Sequence, residues 1–166
     1  MDLSAFADQF AQKMKEIEDF VNGDDIKDIM GVEAVNHFKE SFKNEGFTDE
    51  SLEKWKDVKR RDPDSPWYGR SGQTGKFSQA RTAAKILTGE TEELQSSLSY
   101  DRTAEGARVT NAAPYASVHQ FGITDGKAFG KYPFTLAARP FVGKSVVLIK
   151  NIEEKITTEI KQILTK

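Results

Sequence analysis

The chain has 166 residues, a formal net charge of −2 at pH 7 and no cysteine, which excludes disulfides and thiolate metal sites and implies no bulk attraction to nucleic acid. No apolar run approaches the ~20 residues of a membrane span and no charged-then-apolar leader opens the chain, so a soluble protein made in the cytoplasm, with no membrane contact, is expected. A chain of this length buries roughly 70% of its unfolded surface, and without an evident linker it reads as one domain over residues 1–166.

Residues 2–21 carry Leu3, Phe6, Phe10, Met14, Ile17 and Val21 at steps of three or four, the period of an amphipathic helix. Asn22-Gly23 ends it. Asp24 or Asp25 caps a second helix with Ile26, Ile29, Met30, Ala34, His37 and Phe38 on its apolar face, where Gly31, about 1 kcal/mol weaker than alanine, marks a bend or break. After Asn44-Glu45-Gly46, Thr48 would cap a short third helix anchored by Leu52 and Trp55, although Ser51 stands where a capping box wants Glu. Residues 1–60 thus form a helical N-terminal part.

Lys54, Lys56, Lys59, Arg60 and Arg61 make a basic cluster interleaved with Asp57 and Asp62. Lys59, Arg60 and Arg61, with Trp55, Trp67 and Tyr68 near them in sequence, are the residues that would grip phosphates and stack on bases. The interleaved acids favour a solvated face instead. Residues 62–76 are rich in Pro, Gly and Ser and read as a long exposed loop. Its Gly69–Lys76 stretch is no phosphate-binding loop: the sixth position from Gly69 is Thr74, and Phe77 follows Gly75-Lys76 where Ser or Thr is required.

Residues 78–87 read as a short helix with Ala80, Ala83, Ala84 and Leu87 inward, and residues 91–98 as another holding Leu94 and Leu98. Residues 99–103 and 107–111 flank Glu105-Gly106 as a hairpin. Pro114 then suits the first turn of a helix, Tyr115, Val118 and His119 share one face, and Gly122 ends the helix in the left-handed conformation. Residues 123–138 read as a loop or extended arm with a short strand. Pro140 holds Arg139 extended, Arg139 is expected to bond carbonyls or a carboxylate, and Phe141 to plug the core near Tyr115 or Phe121. Ser145 caps a long last helix with Val146, Ile149, Ile152, Ile156, Ile160 and Ile163 or Leu164 inward. The fold class is α+β: a helix-rich start, a small antiparallel sheet packed by helices, and a long C-terminal helix.

Chemistry is thin. His37 and His119 are the only histidines, and no HExxH or GxSxG string occurs. Tyr115 with His119 lacks a third group. Glu92-Glu93 and Glu153-Glu154 are adjacent on helices and point about 100° apart, so they do not converge on a substrate. Neither catalytic, cofactor nor metal residues are expected.

Tyr115, Ala116, His119, Gln120, Phe121 and Gly122, followed by Arg139, Pro140, Phe141 and Gly143, resemble the paired motifs of the phage virion morphogenesis (tail completion) family of Mu-like tailed phages and prophages. Ile86–Glu90 and Leu94–Leu98 sit where such proteins carry a Thr-Gly turn and a Leu-x-x-Ser pattern, and the likeness covers roughly residues 80–165, within a core of 78–166. The resemblance implies a non-enzymatic protein of the virion, acting in tail completion or head–tail joining. It would form a homo-oligomeric ring and touch other tail or head–tail connector proteins. The motif residues would be structural, and Trp67, Tyr68, Phe129, Tyr132 and Phe134 would sit in interaction loops 62–77 and 123–138. The alternative is a nucleic-acid-binding accessory protein using the basic and aromatic 54–76 region.

Overall fold

The computed structural model describes residues 2–72 and 74–166. Asp2 opens helix α1 (Leu3–Asn22) by accepting the Ser4 N–H. Gly23 joins it to α2 (Asp24–Asn44), the element on which the rest is assembled. Buried Val35, Phe38 and Phe42 line its inner face, and it packs against α1, the last helix and two of the hairpins. Gly31 does not break α2. It is buried, and a Cβ there would fall inside the Tyr100 ring; the glycine admits an aromatic rather than a bend.

α2 ends at Glu45, which takes a left-handed conformation (φ 53°). Where a third helix was expected, the chain forms a hairpin of β1 (Gly46–Thr48) and β2 (Leu52–Lys54). The missing capping glutamate leaves the helix start weak. Extended backbone, in contrast, buries Phe47 against Phe38 and lets the Trp55 N–H bond back to the Glu45 carbonyl at 2.8 Å. A 3₁₀ turn (Lys59–Arg61) follows.

The helices at 78–87 and 91–98 are shorter than their periodicity suggests: α3 spans Gln79–Ala83 and α4 Glu93–Ser96. The carbonyls of Arg81, Ala84 and Lys85, which would continue α3, receive arginine side chains instead. The expected hairpin is β3 (Leu98–Arg102) with β4 (Ala107–Asn111), registered Tyr100↔Val109. Arg102 fastens it to α2 through Asp28 (2.6 and 2.7 Å) and Asp24 (3.0 Å), and the Tyr100 hydroxyl also reaches Asp28. Next come α5 (Ala116–Phe121), β5 (Ile123–Ala128), β6 (Tyr132–Leu136) and α6 (Val146–Thr165). Ser145 caps α6, its hydroxyl accepting the Leu148 N–H at 3.1 Å.

The architecture is α+β. Its strand content is three separate two-stranded antiparallel hairpins among the described residues, gathered on a helical frame. The core is aromatic at its centre: Phe42 and Phe141 are almost fully buried with ring centroids 5.4 Å apart, and Trp55 meets Phe42 edge to face at 5.8 Å. Ile86, Leu94, Leu98 and Leu148 close around them. No helix among the described residues is long and apolar enough to cross a membrane.

Candidate functional site

The two motif blocks lie against each other. α5 begins at Ala116, leaving Pro114 in the preceding turn and Tyr115 at the cap. The main-chain carbonyl of His119 accepts the Arg139 N–H at 2.8 Å. Gln120 makes three bonds to the second block: its Nε2 donates to the Val142 carbonyl (2.7 Å), and its Oε1 accepts from the N–H groups of Phe141 (3.0 Å) and Val142 (3.2 Å). One amide side chain thereby does the work of a missing strand partner for an irregular segment. Gly122 ends α5 at φ 72°, ψ −176°. That is not the left-handed helical region expected of it but an extended one essentially open only to glycine.

Arg139 is buried, and its guanidinium donates to the carbonyls of Lys56 (3.0 and 3.1 Å) and Asp57 (3.3 Å). Trp55 Nε1 answers by donating to the Pro140 carbonyl at 2.8 Å. Burial pushes the Arg139 pKa down, yet a guanidinium stays charged at any physiological pH. Phe141 plugs the core as expected of it, but against Phe42 of α2 rather than near Phe121, which is 76% exposed. At Gly143 an added Cβ would meet only the Phe47 ring, at 3.4 Å. The motif residues form a clasp that ties α5, the 139–143 segment and the 55–57 segment into one unit.

Tyr115 and His119 meet edge to face, 5.8 Å between centroids. The Tyr115 hydroxyl donates to Glu93 at 2.6 Å, and that bond, with burial and the Glu93 charge, pushes its pKa up to about 12. Burial, and then the Arg139 charge, hold the His119 imidazole below its ordinary 6.5. Its Nδ1 is buried without a hydrogen-bond partner among the described residues. The geometry is one of packing. Because the native state resists protonating His119, the unfolded chain binds the extra proton. Stability is therefore complete above pH 6.5 and declines as pH falls through that value toward the lower native one. His119→Phe is expected to flatten this part of a stability-versus-pH curve from urea unfolding; an unchanged slope would contradict the assignment.

The structure puts the basic cluster to a different use from phosphate contact. Arg60 donates to the carbonyls of Arg81 (3.1 Å), Ala84 (2.7 Å) and Lys85 (2.8 Å). Burial, with the charges of Arg81 and Arg61, brings its pKa down to about 10. Arg61 donates to the Ala84 carbonyl (2.8 Å) and pairs with Glu45. Glu45 also accepts the Ile86 N–H at 2.7 Å; burial pushes its carboxyl up, and the Arg61 and Ile86 bonds outweigh it, so its pKa is lowered. These guanidiniums are fixed in the fold, leaving exposed Lys59 from the trio. Glu45 is the residue that sequence reasoning missed, since nothing in Asn-Glu-Gly signals a left-handed glutamate with a structural carboxylate.

The 62–77 segment is tied down at several points, with Gln73 outside the described residues. Gly69 N–H bonds the Arg60 carbonyl (2.8 Å), Ser78 N–H bonds the Gly69 carbonyl (2.9 Å), and Arg70 pairs with Phe77. Tyr68 is half-buried beside Phe77, at 6.3 Å, whereas Trp67 is 57% exposed. Most of the 123–138 stretch is a hairpin, β5 with β6, whose register shifts between Ile123 and Gly126 and which carries Phe129 at its turn (φ 51°) followed by Gly130. Phe129 is 94% exposed, Tyr132 66% and Phe134 42%. Among the described residues no group of three His, Cys, Asp or Glu side chains could hold a metal ion.

A search of curated proteins and one of solved structures each gave no match. A family model described as the phage virion morphogenesis family matches residues 57–161. That span takes in both motif blocks, the β5–β6 hairpin and most of α6, and leaves α1, α2 and the first hairpin outside. Covering more than half of the sequence and both motif blocks of the clasp, it shows that this chain belongs to the phage virion morphogenesis family.

Proposed function

We propose that the protein is a non-enzymatic structural component of the virion that acts in tail completion or head–tail joining. In this reading residues 1–166 form one domain that assembles as a homo-oligomeric ring. It meets tail or head–tail neighbours through the β5–β6 arm and the Trp67 loop, in a particle built in the host cytoplasm. The observation that carries it is the arm itself: a two-stranded hairpin presenting Phe129, Tyr132 and Phe134 to solvent. An isolated hairpin is marginal in water, and exposed aromatics are what interfaces use as anchors. Fixing each residue of a mobile arm costs about 1–2 kcal/mol, which docking on a neighbour would offset.

The nucleic-acid reading through Lys59, Arg60 and Arg61 is weaker, because both arginines are held by main-chain carbonyls. Hydrogen exchange tests the leading one. Amides of 123–136 are expected to exchange rapidly in the verified monomer and slowly in assembled particles. Strong protection of the arm in the monomer would overturn the proposal.

A further inference from the structure

α1 is a 20-residue helix none of whose described residues is buried. Leu3, Ala7, Phe10, Met14, Ile17 and Val21 follow one another at steps of four, three, four, three and four. This is an unbroken heptad seam, the pattern by which one helix packs along another. Within this chain only Ile17 of the larger seam residues is half-covered: Leu3 is 81% exposed, Phe10 54%, Met14 46% and Val21 45%, and Phe6, stacked on Phe10, 54%. The helix is not free to turn the seam inward. Its other edge is anchored, with half-buried Phe20 and with Lys13 donating to the Ile163 carbonyl of α6 at 3.0 Å. Scattered exposed apolar residues are ordinary, but a contiguous stripe along a whole helix is not.

We infer that this seam pairs with the same seam of a second copy of the chain. The inference rests on the self-assembly part of the proposed function but not on the arms. A second copy supplies by identity the one thing the seam lacks, a matching heptad on a helix of equal length, in an isologous contact. A hollow of about 840 Å³, lined by Ala11, Met14, Ile17 and Val21 among others, runs along this side of α1. Small Ser4 and Ala11 flank the seam there and let another backbone approach. With ~150–250 Å² per phenylalanine, the exposed seam presents on the order of 500 Å² of apolar surface. Two copies therefore bury about 1,000 Å², the lower limit for a specific interface and the range of weak pairs. A lipid surface is the wrong occupant. Residues 2–22 carry five carboxylates against two lysines, and anionic headgroups would repel them.

Sedimentation velocity on the full chain, from about 1 to about 200 µM, tests the pairing. The unaltered protein is expected to dimerise within that range. Phe10→Glu and Met14→Glu are expected to weaken dimerisation at least about tenfold with an unchanged thermal melt, both sites being exposed in the monomer. Phe10→Gln repeats the test with an uncharged residue of better helix propensity, should either charged variant fold poorly. A chain that stays monomeric throughout overturns the inference, as does association indifferent to the α1 variants, which would leave self-assembly standing through another face.

Discussion

Gln120→Ala is expected to destabilise the protein by about 4 kcal/mol, read from the midpoint and slope of urea unfolding. The side chain satisfies two N–H groups and one carbonyl of the 141–142 backbone, where the chain has no strand partner. Each partner left unpaired in a partly buried place costs about 1–3 kcal/mol. Gln120→Glu separates the contributions. It keeps an acceptor for the Phe141 and Val142 N–H groups but loses the donor to the Val142 carbonyl, so roughly half the destabilisation, about 2 kcal/mol, is expected. A loss below about 1 kcal/mol for the alanine variant would mean that water replaces the amide, and that Gln120 does not clasp the segment.

Gly122→Ala is expected to cost about 3 kcal/mol or more. Two independent obstacles stand at this position. The backbone at φ 72°, ψ −176° lies in a region that L side chains essentially do not enter. A Cβ would also sit 2.5 Å from the Leu136 carbonyl oxygen and 2.7 Å from the Ala138 nitrogen, both backbone atoms with little freedom to yield. Gly143→Ala is the control within the same motif. Its new Cβ would make ordinary contact with the Phe47 ring, and less than about 1 kcal/mol is expected. Equal losses at the two glycines, measured by calorimetry, would contradict this division of roles.

The long helices were legible because their apolar residues repeat over many turns, Leu3 to Val21 and Val146 to Ile160, although Val146 and Ile149, expected inward, are more than half exposed. The cap at Ser145 and the hairpin around Glu105-Gly106 were legible for the same local reason. What could not be read were elements decided by distant partners. The 46–54 hairpin exists because Phe47 packs on Phe38 and the Trp55 N–H returns to Glu45, neither of which a nine-residue window records. α3 stops where Arg60 and Arg61 take the carbonyls that would have continued it. The same contacts explain why Arg60 and Arg61, which look like part of a nucleic-acid patch in sequence, have their guanidiniums turned to main-chain carbonyls in space, with Lys59 left exposed. Charge counts do not say whether a guanidinium faces a phosphate or a carbonyl. At the clasp, the sequence identified the residues but misplaced a neighbour. Phe141 seeks the most completely buried ring available, Phe42, 99 positions away, rather than the aromatic nearest in its own motif.

If the clasp holds the fold and the arm, as proposed, meets neighbours, mutation of the arm separates stability from assembly. Phe129→Ser and Tyr132→Ser, together, alter only side chains that the monomer exposes. The expected result is an unfolding free energy within about 0.5 kcal/mol of the unaltered protein. Where docking of the arm limits assembly, removing interface anchors worth about 1.4 kcal/mol is expected to yield about tenfold fewer tailed, infectious virions. Undiminished yields from a stably folded variant would contradict the account, as would a loss of stability large enough to place the arm in the core.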